Sequence, residues 1–205
     1  MSQQAWRAAL AAHPAAIEAL VVGASAGGVN ALLAIFAGLQ PGFGVPIVVV
    51  LHLPDNHRSS LAEVLGRRLG LPAKEADSGE QLQPGMIYFA APGYHLSVEA
   101  DRSLSFSREE PVYYSRPAID FLFESAADVY GPSLAGFLLT GANQDGAAGL
   151  AAIKQQGGFT VVQDPNEAHV PTMPMAALAL QQPDVIAGLV EIRALLAELE
   201  ATRTC

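Results

Sequence analysis

A glycine-rich turn with one serine at its centre is the first feature of the chain that could do chemistry. Residues 20–30 read L-V-V-G-A-S-A-G-G-V-N, an apolar run typical of a buried strand, and a helical pattern follows from Val29 to Leu39. Ser25 is therefore expected at a strand-to-helix turn, where Gly23-Ala24-Ser25-Ala26-Gly27 fits the G-x-S-x-G pattern of a nucleophile. The same turn also fits a phosphate cradle or simple close packing, so three interpretations stay open at this point.

Two further apolar runs lead to a histidine and an aspartate. Pro46–Leu53 contains His52 near its end, and Ser133–Thr140 is followed by a glycine-punctuated loop that carries Asp145. In open α/β sheets, sites form at the carboxyl ends of the strands, so we expect Ser25, His52 and Asp145 on one rim. A serine hydroxyl needs a general base, and that base needs a carboxylate to orient it. The three residue types therefore indicate a serine hydrolase.

Each partner of Ser25 also has a plainer interpretation. His52 could be a hydrogen-bonded histidine of the core, and Asp145 could be the N-cap of the alanine-rich helix that follows it. A rival triad of Ser25, Asp145 and His169 would have the chain order of the α/β-hydrolases. We favour His52 because His169 lies in a proline-rich loop rather than at a strand end, and because the serine turn follows the first strand.

The elements that must position these residues alternate between strand and helix patterns, including a helix over Ser59–Leu69 that Ser59 or Ser60 could cap. The alternation predicts an α/β domain with a mainly parallel sheet covered by helices on both faces. Four short alternating segments predict an insert of antiparallel hairpins at one edge of the sheet; they cover residues 73–76, 86–90, 95–99 and 103–107. We predict an N-terminal helical extension over 1–16 and a single catalytic domain over 17–200.

Composition excludes several classes of function. Hydrophobic residues make up 51% of the 205 residues and charged residues 15%, which is ample for a packed core. The net charge of -9 disfavours nucleic-acid binding. A single cysteine, Cys205, cannot form an internal disulfide, and no signal peptide or membrane span is recognisable, so we expect a cytoplasmic protein with no membrane insertion. The His, Asp and Glu residues lack metal-ligand spacing, so we expect no metal and no other cofactor.

Eight short motifs, including those of Ser25, His52 and Asp145, occur in order between about Ala19 and Leu196. They are Gly23–Gly28, His52–Pro54, Leu82–Gly85, Ile87–Gly93, Ser115–Asp120, Leu139–Ala147, Gln163–Asp164 and Met173–Pro174. In this order the motifs resemble those of the catalytic domain of the CheB family of chemotaxis protein-glutamate methylesterases.

The resemblance implies a Ser25–His52–Asp145 triad that hydrolyses glutamyl methyl esters on the cytoplasmic domain of chemoreceptors and can also deamidate glutamines. It places the oxyanion donors near the serine turn and the aspartate loop, at Ala26 and Ala142. Arg116 and Met173 are expected to line the substrate cleft. The methylated receptor is therefore the expected partner.

The chain departs from the family pattern in two places. The aspartate loop usually reads T-G-M-G-x-D-G, and here Ala142-Asn143 replaces the Met-Gly pair. This change motivates an alternative function, a non-catalytic or altered-specificity module that binds receptors or signalling partners. Fewer than about twenty residues precede the first strand, too few for the receiver domain of full-length members, so we expect no control in cis by phosphorylation. A nucleotide-binding protein is a weaker alternative, because the turn lacks G-x-G-x-x-G.

Overall fold

The computed structural model describes residues 3–52 and 61–201. Within these residues the chain forms seven α-helices, one short 3-10 helix at Gly131–Ser133 and nine strands. The helices are α1 Gln3–Ala11, α2 Gly28–Phe36, α3 Leu61–Leu69, α4 Ile119–Tyr130, α5 Ala147–Gln155, α6 Thr172–Leu180 and α7 Leu189–Ala201. The strands are β1 Ala19–Ala24, β2 Ile47–Leu51, β3 Ala73–Glu75, β4 Ile87–Phe89, β5 His95–Val98, β6 Leu104–Ser107, β7 Leu134–Leu138, β8 Phe159–Gln163 and β9 Val185–Ala187.

Seven of these strands form one parallel sheet in the order β3-β4-β2-β1-β7-β8-β9. Side chains on β1 alternate between two separate cores: Leu20 and Val22 pack with α2 and α7, whereas Ala19 and Val21 pack with α4 and α5. Burial on both faces explains why the central strands read as continuous apolar runs. The predicted α/β fold, a parallel sheet covered on both faces, is therefore confirmed.

The predicted hairpin insert is correct in one half and wrong in the other. β5 and β6 pair antiparallel as a separate two-stranded sheet, as predicted. β3 and β4 instead extend the main sheet, and each pair in the series β3-β4-β2 runs parallel. The three residues of β4 are all buried, which is the signature of an interior parallel strand rather than of a half-exposed hairpin strand. A run this short does not reveal its pairing direction from sequence alone.

The remaining sequence predictions concern the two ends of the domain and the start of α3. The predicted extension over residues 1–16 contains α1, which contacts α7 and buries Trp6 completely in the core. The predicted caps Ser59 and Ser60, together with Leu53 and Cys205, lie outside the described residues.

One glycine allows α4 to pack closely on the central strand. A Cβ placed on Gly23 of β1 would lie 2.4 Å from Cγ2 of Ile119, the first residue of α4. This distance is shorter than any real Cβ contact, so a side chain at position 23 would push the helix away from the sheet. The beginning of α4 is therefore held against β1 one residue before the end of that strand.

We expect Gly23→Ala to lower the free energy of unfolding by about 1–3 kcal/mol, because the added methyl group overpacks this contact. Urea unfolding would measure the change. In a double-mutant cycle with Ile119→Ala, which removes the opposing Cγ2, the two losses should be less than additive. Full additivity would contradict the proposed contact.

Candidate active site

The carboxyl ends of three neighbouring strands bring the predicted residues to one edge of the sheet. Ala24 at the end of β1 is in register with Leu51 at the end of β2, so Ser25 and His52 leave adjacent strands side by side. The His52 N–H donates to the carbonyl of Ala24 at 3.1 Å, and the Ser25 N–H donates to the carbonyl of Thr140, beyond β7, at 2.9 Å. The loops after β1, β2 and β7 therefore meet at this edge.

His52 and Asp145 form a close pair. His52 Nε2 lies 2.8 Å from Asp145 Oδ2, and the side chain of Asp145 has no solvent exposure while that of His52 has 10%. Since an ionised carboxylate only accepts hydrogen bonds, Nε2 carries the proton and the lone pair of the neutral ring is on Nδ1. Asp145 therefore fixes the tautomer and leaves Nδ1 as the basic nitrogen.

The Asp145 carboxylate is held by the first turn of α4. Oδ2 accepts the N–H of Ile119 at 2.7 Å, and Oδ1 accepts the N–H of Asp120 at 3.0 Å. Free N–H groups and the helix dipole make such a terminus a favourable place for a negative charge. The helix-cap interpretation of Asp145 is thus correct in kind, but the capped helix is α4 and not α5, the helix that follows it in sequence.

Nδ1 of His52 faces a second serine. Ser115 Oγ lies 3.3 Å from Nδ1, whereas the hydroxyl of Ser25 forms no hydrogen bond with any residue in 3–52 or 61–201. Hydrogen bonds between catalytic groups are often long or poorly aligned before substrate binds, so the missing contact of Ser25 is compatible with the predicted role of a nucleophile. Sequence reasoning identified the motif that contains Ser115 but not the contact of its hydroxyl.

Backbone N–H groups of the serine turn and of the aspartate loop have no hydrogen-bond partner among residues 3–52 and 61–201. Within the described residues the N–H groups of Ala26 and Ala142 form no hydrogen bond, and the positive φ of Gly27 (82°) shapes the turn that presents the first of them. The turn is tied to the loop after β7 because Thr140 Oγ1 donates to the carbonyl of Ala26 at 2.8 Å. Free amides held in this way are suited to binding an oxyanion.

The unusual Asn143 of the aspartate loop has a structural partner. Its Oδ1 accepts the N–H of Asp145 at 3.2 Å, which makes a local turn around the intervening residue. The side chain that replaces the usual glycine therefore helps to hold Asp145 rather than displacing it.

The other predicted residues lie around this core of the site. Met173 is fully buried against Gly141, and its N–H donates to the Gly141 carbonyl at 3.0 Å. This residue therefore packs against the aspartate loop. The guanidinium of Arg116 donates to the carbonyl of Glu109 at 3.1 Å. His169, the rival base, is exposed and packs on the serine turn. A Cβ placed on Gly27 would lie 2.7 Å from the Cβ of His169. The hydrogen bond of Asp145 to an imidazole goes to His52 and not to His169.

A second carboxyl group lies behind Asp145. Asp120 Oδ1 accepts the N–H of Gly149 at 2.7 Å, and burial, together with the nearby charge of Asp145, raises the pKa of Asp120 from 3.8 to about 6. The backbone of Asp120 thus binds Asp145 while its side chain binds the first turns of α5. This residue joins the two helices that surround the aspartate.

The turn that carries Ser115 is conformationally strained. Val112 and Ser115 exchange two backbone hydrogen bonds, of 2.8 and 3.1 Å, around Tyr113 (φ 48°) and Tyr114 (φ 62°). Positive φ at both central residues is the pattern of a type I′ turn, which normally selects Asn or Gly. For an L-residue with a side chain this conformation costs roughly 1–2 kcal/mol per residue.

Known proteins resemble this chain in sequence and in fold. A sequence profile described as CheB methylesterase matches residues 20–196. The chain belongs to the CheB methylesterase family. This match confirms the predicted family and, because the family is a family of methylesterases, the predicted class of enzyme.

Individual CheB relatives cover most of the chain. A protein of Leptospira interrogans serogroup Icterohaemorrhagiae is 44% identical over 183 residues, which are 89% of this chain and 95% of that protein. The protein-glutamate methylesterase/protein-glutamine glutaminase 2 of Methanospirillum hungatei is 40% identical over 161 residues, 78% of this chain but 46% of that protein. The crystal structure of the Thermotoga maritima CheB methylesterase catalytic domain superposes with a TM-score of 0.84 at 32% identity, covering 90% of this chain and 100% of the other.

The raised pKa of Asp120 predicts a pH-dependent loss of stability. Between about pH 4 and pH 6 Asp120 keeps a proton in the folded protein that it has released in the unfolded chain, so the contribution of Asp120 to stability is largest below this range and is lost as the pH rises through it. In Asp120→Asn, which keeps the acceptor for Gly149 but cannot titrate, this fall should be reduced. Urea unfolding at a series of pH values would measure it, with exposed Asp128→Asn on the same helix as the control. Parallel curves for Asp120→Asn and the unmodified protein would refute the assignment.

The strained turn predicts a stabilising substitution. Tyr114→Asn should raise the free energy of unfolding by about 0.5–1 kcal/mol, because Asn tolerates positive φ and the fully exposed Tyr114 ring loses no packing. Tyr114→Phe keeps the strain and should leave stability unchanged. The two variants would be compared by urea unfolding, and equal effects would argue against strain at this position.

Proposed function

We propose that this CheB-family chain is a serine hydrolase that removes methyl groups from glutamyl methyl esters of chemoreceptors and deamidates receptor glutamines, with Ser25, His52 and Asp145 as its catalytic residues. The observation that carries the proposal is the buried 2.8 Å pair between His52 Nε2 and Asp145 Oδ2, one strand away from the serine turn. The names of the relatives, protein-glutamate methylesterase/protein-glutamine glutaminase, support the same two reactions.

In the proposed acylation step, Ser25 Oγ attacks the ester carbonyl and its proton passes to His52 Nδ1. The resulting imidazolium is stabilised by Asp145 through Nε2. When the tetrahedral intermediate collapses, the bond from carbon to the methoxy oxygen breaks and the Nδ1 proton leaves with the methoxide as methanol. For a glutamine substrate the carbon–nitrogen bond breaks and ammonia leaves in the same way.

Water completes the proposed reaction. His52 Nδ1 accepts a proton from the water as it attacks the acyl carbon, and then returns this proton to Ser25 Oγ as the acyl-enzyme bond breaks. The products are the free enzyme and a glutamic acid side chain, which loses its proton to solvent and becomes the carboxylate. In both steps the negative oxygen would be bound by the N–H groups of Ala26 and Ala142, which have no partner among the described residues. A contact of this type is worth about 2.7–4 kcal/mol per donor.

The proposed partner is the cytoplasmic domain of a methylated chemoreceptor, and the proposed location is the cytoplasm. Within the described residues no helix combines the length and the apolar character needed to cross a bilayer. The exposed positions of Ala142 and His169 leave the serine turn accessible to a side chain that projects from a large protein.

We expect Ser25→Ala and His52→Ala each to lower kcat for methyl-ester hydrolysis by at least about 10³-fold, because each removes a group that acts in the transition state. His169→Ala should keep activity within about tenfold of the unmodified protein. The measurement is methanol release from a methylated receptor fragment, with folding checked by thermal unfolding.

Two outcomes would overturn the assignment. Loss of activity in His169→Ala with retention in His52→Ala would move the base to His169. Absence of any methanol release that depends on Ser25 would favour the non-catalytic binding module.

A further inference from the structure

Among residues 3–52 and 61–201, the hydroxyl that contacts the basic nitrogen of His52 belongs to Ser115, whose Oγ lies 3.3 Å from Nδ1. In the neutral ring Nδ1 is an acceptor, so the hydroxyl of Ser115 donates to it. A distance of 3.3 Å is long for a hydrogen bond with a hydroxyl donor, and such a bond is easily exchanged. Ser25, a leaving group or a water molecule could therefore take its place.

The position of Ser115 is set by its turn. The two backbone hydrogen bonds between Val112 and Ser115 close the turn, and the exposed rings of Tyr113 and Tyr114 provide little packing to offset its strain. Strained backbone that is kept without local compensation is characteristic of functional sites. On the far side of the turn, the Arg116 guanidinium and carbonyl are fixed to Glu109 and Gly93.

The same short segment also reaches the other nitrogen of the ring. Three and four residues after Arg116, the N–H groups of Ile119 and Asp120 bind the carboxylate that accepts from Nε2. Residues 112–120 thus contact one ring nitrogen directly through Ser115 and the other through Asp145.

We assign the attack to Ser25 and not to Ser115. Ser25 lies in the glycine turn Gly23–Gly27 at the end of β1, which has the pattern of a nucleophile, whereas Ser115 follows a tight turn with two tyrosines.

We propose that Ser115 is a positioning residue: its hydroxyl holds the His52 imidazole from the Nδ1 side in the resting enzyme, opposite the Asp145 contact, and gives way to the reacting groups during turnover. The kinetic part of this inference rests on the proposed function, while the ring contact itself does not. Ser115 keeps the ring aligned with Asp145 when no substrate is bound.

Nitrogen NMR of the intact chain labelled with ¹⁵N-histidine tests the contact without any assay of activity. The Nδ1 resonance of His52 is assigned by its loss in His52→Ala. This resonance should shift in Ser115→Ala and keep its original position in Ser115→Thr. Ser107→Ala, the same change at another half-exposed serine before the turn, should have no effect. If Ser115→Ala does not fold, Ser115→Cys replaces it, because the thiol keeps the volume and weakens the hydrogen bond. An unchanged Nδ1 resonance in the folded variant would overturn the proposal.

Labelling with a fluorophosphonate, mapped by mass spectrometry, tests the consequence for catalysis. The label should be found on Ser25, at a rate about fivefold lower in Ser115→Ala and within about twofold of the unmodified rate in Ser115→Thr and Ser107→Ala. Label on Ser115, or an unchanged rate in Ser115→Ala, would overturn the positioning role. If the unmodified chain shows no labelling at Ser25, the proposed function fails, and the NMR result still decides the contact of Ser115.

Discussion

The carboxylate of Asp145 has no exposure to solvent, and a charge buried there without partners would cost several kcal/mol. Three donors offset that cost: the N–H groups of Ile119 and Asp120 at the start of α4, and Nε2 of His52. These donors also determine the geometry of the site, since each oxygen of the carboxylate is directed by a helix amide. The imidazole binds Oδ2, the oxygen that also accepts the N–H of Ile119, through Nε2. The proposed base is therefore oriented by the requirement to bury an anion.

This arrangement requires the first turn of α4 to lie very close to the sheet and to α5. Small residues make the approach possible: side chains at Gly23 and Gly146 would each collide with Ile119, and one at Gly149 would lie 2.5 Å from Cβ of Phe123. The same packing brings the side chain of Asp120 to the N–H of Gly149. A second carboxyl group is thereby buried near the first, and its pKa rises as a result. The close packing that favours the anion of Asp145 thus disfavours a second one beside it.

The sequence was sufficient to predict the parallel sheet and the location of Ser25, His52 and Asp145 at its edge, because buried parallel strands read as apolar runs and their carboxyl ends share one side. It was not sufficient for β3 and β4, since a three-residue strand gives no indication of pairing direction. Asp145 was recognisable as a cap by its position before Gly146, but the helix that it caps lies earlier in the chain, and only tertiary packing decides this. The contact of Ser115 could not be predicted, because a tight turn with two tyrosines at positive φ has none of the glycine or asparagine signals on which turn prediction depends.

The two nitrogens of His52 are held in very different ways, and the proposed reaction accounts for the difference. Nε2 keeps the same partner throughout, so a short contact to a buried carboxylate that is fixed by helix amides suits it. Nδ1 must exchange protons in turn with Ser25, with the departing methanol or ammonia, and with water. A charged or tightly bound group on that side would compete with each of these partners. A neutral hydroxyl at 3.3 Å, which can donate to the free ring and accept from the protonated one, orients the imidazole and remains easy to displace.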